Sequence, residues 1–271
     1  MRDLRSPSTK GGKASAACLR KPGLAVEFSS RSDLGRRQAF SHDYVGHVKL
    51  TAPTRRHTHG SLFALADGLQ AAASKAAVEN LLSGFRAAPP EEPLPSLLVR
   101  LVQEANQYVY EIGKRGSWRG SPTATTIVAC AVRHDRAVVA HVGDSRCYLI
   151  REGQTKLLTR DHIIAEDQAH RGIFCGKEIE KGPNCRVLSR CLGRDLFVKV
   201  ETSEHRVLPG DVLILCCYGF YRSVSASELA AVAGRGGDLH AAAQQLVGLA
   251  YVRDGGEDIS VQLIRIQSVE T

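Results

Sequence analysis

The period of the apolar positions changes along the chain. Short apolar runs over 24–30, 44–50 and 61–67 read as strands, the third ending on the acid-glycine pair Asp67-Gly68. Over 71–87 and 95–113, Ala, Leu and Val recur at helical spacing, and the Pro/Glu-rich stretch 89–93 between them predicts two long antiparallel helices. Strand-like runs return over 125–132, 137–142 and 147–151. The turn residues between them predict an antiparallel meander. A helix is expected over 161–172, a mobile loop over 176–184, and strands over 196–201, 206–208 and 211–217. Ser225 with Glu228 three residues on forms a capping-box signature for a helix to about Val232. A second late helix over 238–252 and a closing strand over 259–266 follow. Strands, two helices, strands, two helices and a strand indicate an α+β fold rather than a parallel βαβ sheet.

Composition narrows the class. The chain of 271 residues is 43% hydrophobic and 24% charged, ordinary values for a globular domain. Of its formal charge of +8, five units sit in residues 1–22, where Arg2, Arg5, Lys10, Lys13, Arg20 and Lys21 face only Asp3. This predicts a basic disordered tail over 1–22 and one domain over 23–271, and the charge alone makes no case for nucleic acid. No apolar run reaches the length of a membrane span, and the first residues lack the apolar core of a secretory signal, so a cytoplasmic protein is expected. The eight cysteines include no C-x-x-C pair, which argues against zinc. Cys130, Cys147, Cys216 and Cys217 fall in strand-like runs, where a thiol behaves as a small core hydrophobe, and a strand would send adjacent Cys216 and Cys217 to opposite faces.

Candidate chemistry lies at strand ends and turns, in Asp43, Asp67, Asp144 and the pair Glu257-Asp258. Carboxylates so placed can converge on one rim of a sheet and offer hard oxygen ligands to Mg²⁺ or Mn²⁺, although an Asp before Gly is also a common turn device. The order of motifs adds to this. The chain reads Ser41-His42-Asp43, Ala66-Asp67-Gly68, Ala124-Thr125-Thr126, and His141-Val142-Gly143-Asp144-Ser145-Arg146-Cys147-Tyr148. It continues with Leu158-Thr159-Arg160-Asp161-His162, Ser189-Arg190-Cys191-Leu192-Gly193, Pro209-Gly210-Asp211, and Glu257-Asp258-Ile259-Ser260-Val261. In that order, from about Leu24 to Ile266, it resembles the bacterial metal-dependent serine/threonine protein phosphatases (the PPM, or type 2C, family).

The resemblance implies a four-layer αββα sandwich of two antiparallel sheets flanked by helices. It also implies two divalent metals, Mn²⁺ or Mg²⁺, that activate water and neutralise phosphoryl charge during in-line attack. Carried over by position, Asp67 would bridge both metals, Asp43 and the Gly68 carbonyl would hold the second, and Glu257 or Asp258 would complete the first. Asp144 falls where a weaker third metal binds. The implied partner is a phosphorylated protein, the substrate of a cognate serine/threonine kinase, acted on by a monomer without nucleic acid or membrane.

The chain departs from the pattern at Cys217-Tyr218-Gly219, where the family reads Ser-Asp-Gly. A neutral phenol at Tyr218 is a poor ligand for Mg²⁺ or Mn²⁺, so the first metal loses a primary ligand, and one bound metal stands as the alternative to the two the resemblance implies. The family's phosphate-binding arginine falls on Gln38, with Arg36 and Arg37 beside it as replacements. His42 stands in place of the usual Glu or Gln. Two functions follow: a phosphatase of phosphoserine and phosphothreonine, with weak activity, or a pseudophosphatase that binds phosphoproteins without turnover.

Overall fold

The structure, a computed structural model, describes residues 24–49, 60–115, 123–170, 187–234 and 236–268. The basic tail and the loop expected over 176–184 lie outside them.

Among the described residues, ten strands form two antiparallel sheets of five. They are β1 (Leu24–Asp33), β2 (Tyr44–Lys49), β3 (Ser61–Ala66), β4 (Ile127–Arg133), β5 (Arg136–Val142), β6 (Arg146–Arg151), β7 (Gln154–Leu157), β8 (Glu201–Arg206), β9 (Val212–Cys216) and β10 (Ile259–Ser268). One sheet runs β1-β10-β9-β6-β7 and the other β2-β3-β4-β5-β8. The long helices α1 (Ala71–Ala87) and α2 (Leu94–Arg115) cover the second sheet. After the short α3 (Ile164–His170) and α4 (Tyr218–Tyr221), α5 (Ala226–Ala233) and α6 (Leu239–Arg253) cover the first.

The period of two explains the layers. Along β3, Phe63 and Leu65 face the other sheet, in one core with Leu213 and Leu215. Leu62, Ala64 and Ala66 face the opposite way, in a second core with Val78, Leu81, Leu98 and Leu101 from α1 and α2. Both faces of β3 are therefore buried, which is why this strand reads as an unbroken apolar run.

Ser225 caps α5 in the expected capping box with Glu228, and Asp238 caps α6, its carboxylate accepting from the backbone N–H groups of His240 and Ala241. Three expectations are corrected. The run 125–151 is not a meander: β4 and β5 pair as a hairpin, but β6 lies in the other sheet between β9 and β7. The Gly143-Asp144-Ser145 turn thus carries the chain from one sheet to the other. The strand expected over 196–201 is displaced to β8, a half-exposed edge strand of sequence Glu-Thr-Ser-Glu-His-Arg that lacks an apolar signature. Leu196 and Phe197, which suggested a strand, are exposed instead. The four-residue β7 was not anticipated, because its polar sequence gives no period to read.

Candidate metal centre

Strand register brings the acids together. Tyr44 at the start of β2 pairs with Ala66 at the end of β3, so the next residue outward on each strand, Asp43 and Asp67, leaves the sheet at the same rim. In the other sheet Val261 of β10 pairs with Cys216 of β9, which sets Cys217 beside Ser260 and leaves Glu257-Asp258 at the same end. The Cys217 N–H donates to the Ser260 carbonyl at 3.2 Å. The β5–β6 crossing delivers Asp144 to that end as well. Five acids from remote parts of the chain thus share one end of the sandwich.

Their surroundings differ sharply. Asp258 is buried and satisfied: one oxygen accepts from the Gly35 N–H at 3.1 Å and the other from the His42 N–H at 2.6 Å. That loop packs so closely that a Cβ on Gly35 would overlap the backbone of Glu257. Asp258 is therefore a clamp for the 35–43 loop, and both it and Glu257 lie on the cavity wall.

Asp43 is the opposite case. It is 9% exposed, and neither of its carboxylate oxygens has a hydrogen-bond partner. Burial pushes its carboxyl up to about 6, and the Asp258 charge adds to the rise. Ser260 and Cys217 lie near enough to offset part of it without reaching hydrogen-bonding geometry. Asp67, half-buried on the cavity wall, is also pushed up, by desolvation first and then by the Asp43 and Asp144 charges. The Tyr218 N–H donates to Asp67 Oδ2 at 3.3 Å, while Thr126 N–H and Thr125 Oγ donate to its backbone carbonyl at 2.7 and 3.0 Å. Ligand atoms of Asp43, Asp67 and Cys217 all lie within 4.8 Å of one another. Bare oxygens, mutual repulsion and this spacing fit a bound cation, with Asp43, Asp67 and the neighbouring Gly68 as its holders.

A cavity of about 630 Å³ opens above this cluster, lined among others by Gln38, His42, Asp67, Asp144, Arg194 and Tyr218. Arg36 and Arg37 are exposed and absent from its wall. The Arg36 guanidinium stacks on the Tyr251 ring at 4.6 Å and donates to the Tyr251 carbonyl at 3.2 Å. Arg37 lies against Gly256. The guanidinium on the wall is that of Arg194, which holds the Leu188 and Ser189 carbonyls and Asp195. Nothing in the sequence marked Arg194, since its apposition to the acids depends on the loop after Gly193. Tyr218 lines the cavity with its ring edge-on to Tyr221, whose hydroxyl donates to Asp144 Oδ2 at 3.5 Å.

A second cluster, His141, His162 and Glu201, supports the rim from behind. His162 is fully buried and its Nδ1 accepts from the Gly143 N–H at 3.2 Å, so Nε2 carries the proton toward Glu201 at 3.2 Å. Burial and neighbouring His141 hold its pKa down to about 4. With Nε2 protonated and Glu201 already facing Arg160 and Arg190, this cluster braces the Gly143-Asp144 turn and offers no metal a free nitrogen at His162.

Comparison with known proteins places this arrangement. Residues 60–173 match the family model described as Protein phosphatase 2C. The chain is similar to protein phosphatase PhpP of Streptococcus pneumoniae, with 24% identity over 246 residues, 88% of this chain and 97% of that protein. It is also similar to the solved structure of the S. agalactiae serine/threonine phosphatase, with 27% identity, 89% and 99% of the two chains covered, and a TM-score of 0.79. The fold is shared too with the catalytic domain of serine/threonine protein phosphatase PstP, solved with two manganese ions, at 23% identity and a TM-score of 0.74 over 90% of this chain and 100% of that one.

Proposed function

Because the chain belongs to the protein phosphatase 2C (PPM) family, we propose that it hydrolyses phosphoserine and phosphothreonine esters in a protein substrate, slowly, with one divalent cation held by Asp43, Asp67 and the Gly68 carbonyl. The observation that carries this reading is Asp43, a buried carboxylate with both oxygens bare beside Asp67. Such a group costs several kcal/mol unless a cation faces it. When bound, the cation supplies Lewis acidity toward a phosphoryl oxygen and makes water a stronger nucleophile at neutral pH.

The chain's own residues do the rest. The Thr125 and Thr126 donors and the Tyr218 N–H fix Asp67 at the cavity wall. Asp144 and Glu257 offer carboxylates from the same wall for a further ion. Arg194 supplies a guanidinium and His42 an imidazole to the cavity lining, the groups there suited to an anionic ester. Arg36 and Arg37 take no part. The partner is a phosphoprotein made by a serine/threonine kinase.

One observation favours a second reading: position 218 carries a phenol, so the usual first metal lacks a carboxylate and the chain would bind phosphoproteins without turnover. Hydrolysis of a phosphothreonine peptide with Mn²⁺ by the wild type, Asp67→Asn and Tyr218→Asp separates the two. The first reading expects slow activity that Asp67→Asn abolishes and Tyr218→Asp raises by roughly 10–100-fold, the range a repaired metal environment commands. Activity in Tyr218→Asp alone establishes the second. Absence of both activity and Mn²⁺ binding in every variant removes the metal centre from either.

A further inference from the structure

We propose that the Cys217 thiolate is a direct ligand of the cation at Asp43 and Asp67, so that the site selects a borderline, sulfur-tolerant cation of the Zn²⁺ class over Mg²⁺ or Mn²⁺. The inference rests on the cation site proposed above and concerns which ion fills it.

The geometry is the starting point. Cys217 is the residue after β9, and its side chain is fully buried. The extended strand turns Cys216 to the helix-covered face that it shares with its paired neighbour Arg146, and Cys217, on the alternate face, carries its sulfur toward the other sheet and into the 4.8 Å cluster with the two carboxylates. One of the two contacts of the sulfur suits a thiolate, and burial beside the Asp43 and Asp67 charges keeps the thiol protonated until a cation arrives. The Ser260 N–H donates to Sγ at 3.1 Å, a bond that strengthens when the sulfur becomes anionic. The only group the thiol proton serves among these contacts is the Asp258 carbonyl, at 3.2 Å. On binding, that proton leaves to solvent, a sulfur–metal bond forms, and no electron is transferred.

Chemistry sets the preference. A wall of oxygen donors suits Mg²⁺ and Mn²⁺, whereas a thiolate among carboxylates favours Zn²⁺ and its neighbours. In this chain the carboxylate expected at position 218 is missing, and the adjacent position holds a sulfur already turned toward the bare oxygens of Asp43. The lack of C-x-x-C pairs argues against an all-cysteine zinc site. It says nothing against one thiol set beside two carboxylates.

The test uses the full chain, freed of metal by chelation and kept reduced, titrated with Co²⁺ as a spectroscopic probe and with Zn²⁺ and Mn²⁺ in calorimetry. Wild type should show the intense near-ultraviolet thiolate-to-cobalt charge-transfer band, displaced by Zn²⁺, and Cys217→Ser should lack it. The other cysteines are common to both proteins, so the difference belongs to Cys217. Cys217→Ser should lose Zn²⁺ affinity by at least the roughly 10–100-fold that even an outer-shell change removes, with Mn²⁺ affinity altered far less. Cys217→Ala repeats the comparison should the serine variant fold poorly. Stoichiometric Co²⁺ binding without the band, or equal Zn²⁺ affinity in Cys217→Ser, overturns thiolate ligation and leaves the cation site standing. Absence of any cation binding to the wild type overturns both.

Discussion

Asp43→Asn should stabilise the metal-free protein and destroy its response to metal. In the folded chain the Asp43 carboxyl titrates at about 6 against an ordinary 3.8, chiefly because burial penalises its charge. A folded-state pKa above the unfolded value means that the folded state holds the extra proton between the two. Stability is therefore greatest below 3.8 and is lost as pH rises through about 6. Above both values the cost is about 3 kcal/mol. Removing the charge also relieves Asp67, whose own rise is due in part to Asp43. The buried amide that remains returns about 1–3 kcal/mol of the gain unless it donates to Asp67. A net of up to about 2 kcal/mol should raise Tm by up to roughly 6 °C in a domain of this size.

The assay is thermal unfolding at pH 7.5 and 5.5, with chelator and with excess Mn²⁺ or Zn²⁺. His141 and His162, held neutral by burial, weaken both proteins equally as pH falls below about 6.5, so the wild-type-minus-variant difference reports Asp43 together with the Asp67 carboxyl it acts on. With chelator at pH 7.5 the variant should melt higher, and the gap should narrow at pH 5.5. With metal at 100 times its Kd the wild type gains about 2.7 kcal/mol and the order inverts. A variant that melts lower under chelation at pH 7.5 would refute the reasoning, since Asp43 would then be satisfied rather than bare.

Three further outcomes are expected. Asp161→Ala leaves the Arg146 guanidinium, now bidentate to Asp161 at 2.7 and 3.0 Å, without its carboxylate partner; it should cost about 3–5 kcal/mol in urea unfolding. Gly35→Ala drives a methyl group into the backbone of Glu257 and so pushes the 35–43 loop from Asp258; calorimetry should show cation affinity reduced roughly 10–100-fold. Ser225→Ala removes the α5 cap and should lower stability by about 1 kcal/mol, with cation affinity unchanged.

Residues whose neighbours are fixed by pattern were legible in the sequence. Asp43 and Asp67 were marked by their places at strand ends, and the capping box named the start of α5, whereas the register that sets the two acids opposite each other came from the fold. What pattern does not encode was missed. β8 is an edge strand whose alternation is polar on both faces, so no apolar period announces it. β6 lies in the other sheet because the Gly143–Ser145 turn crosses between sheets, and hairpin-like turn residues do not distinguish the two routes. Arg36 and Arg37 stand next to Gln38 in sequence but turn toward Tyr251 and Gly256, while Arg194 reaches the cavity from a loop with no motif. The two faces of Cys216 and Cys217 were predictable. Which face looked at the acids required the partner strand.

The contrast between Asp43 and Asp258 carries more weight than the number of acids at this rim. The two share a residue type, a burial class and one end of the same sandwich. Asp258 has two backbone N–H donors brought from a loop more than 200 positions away, and as a fully satisfied carboxylate it needs no ligand to explain it. Asp43 has none, although Ser260 and Cys217 are close enough that a small shift of either would supply one. A fold that satisfies one buried carboxylate completely and leaves its neighbour bare is not short of donors. The donors are held away from Asp43, whose unpaired charge destabilises the chain by itself and becomes favourable when a cation lies between it and Asp67.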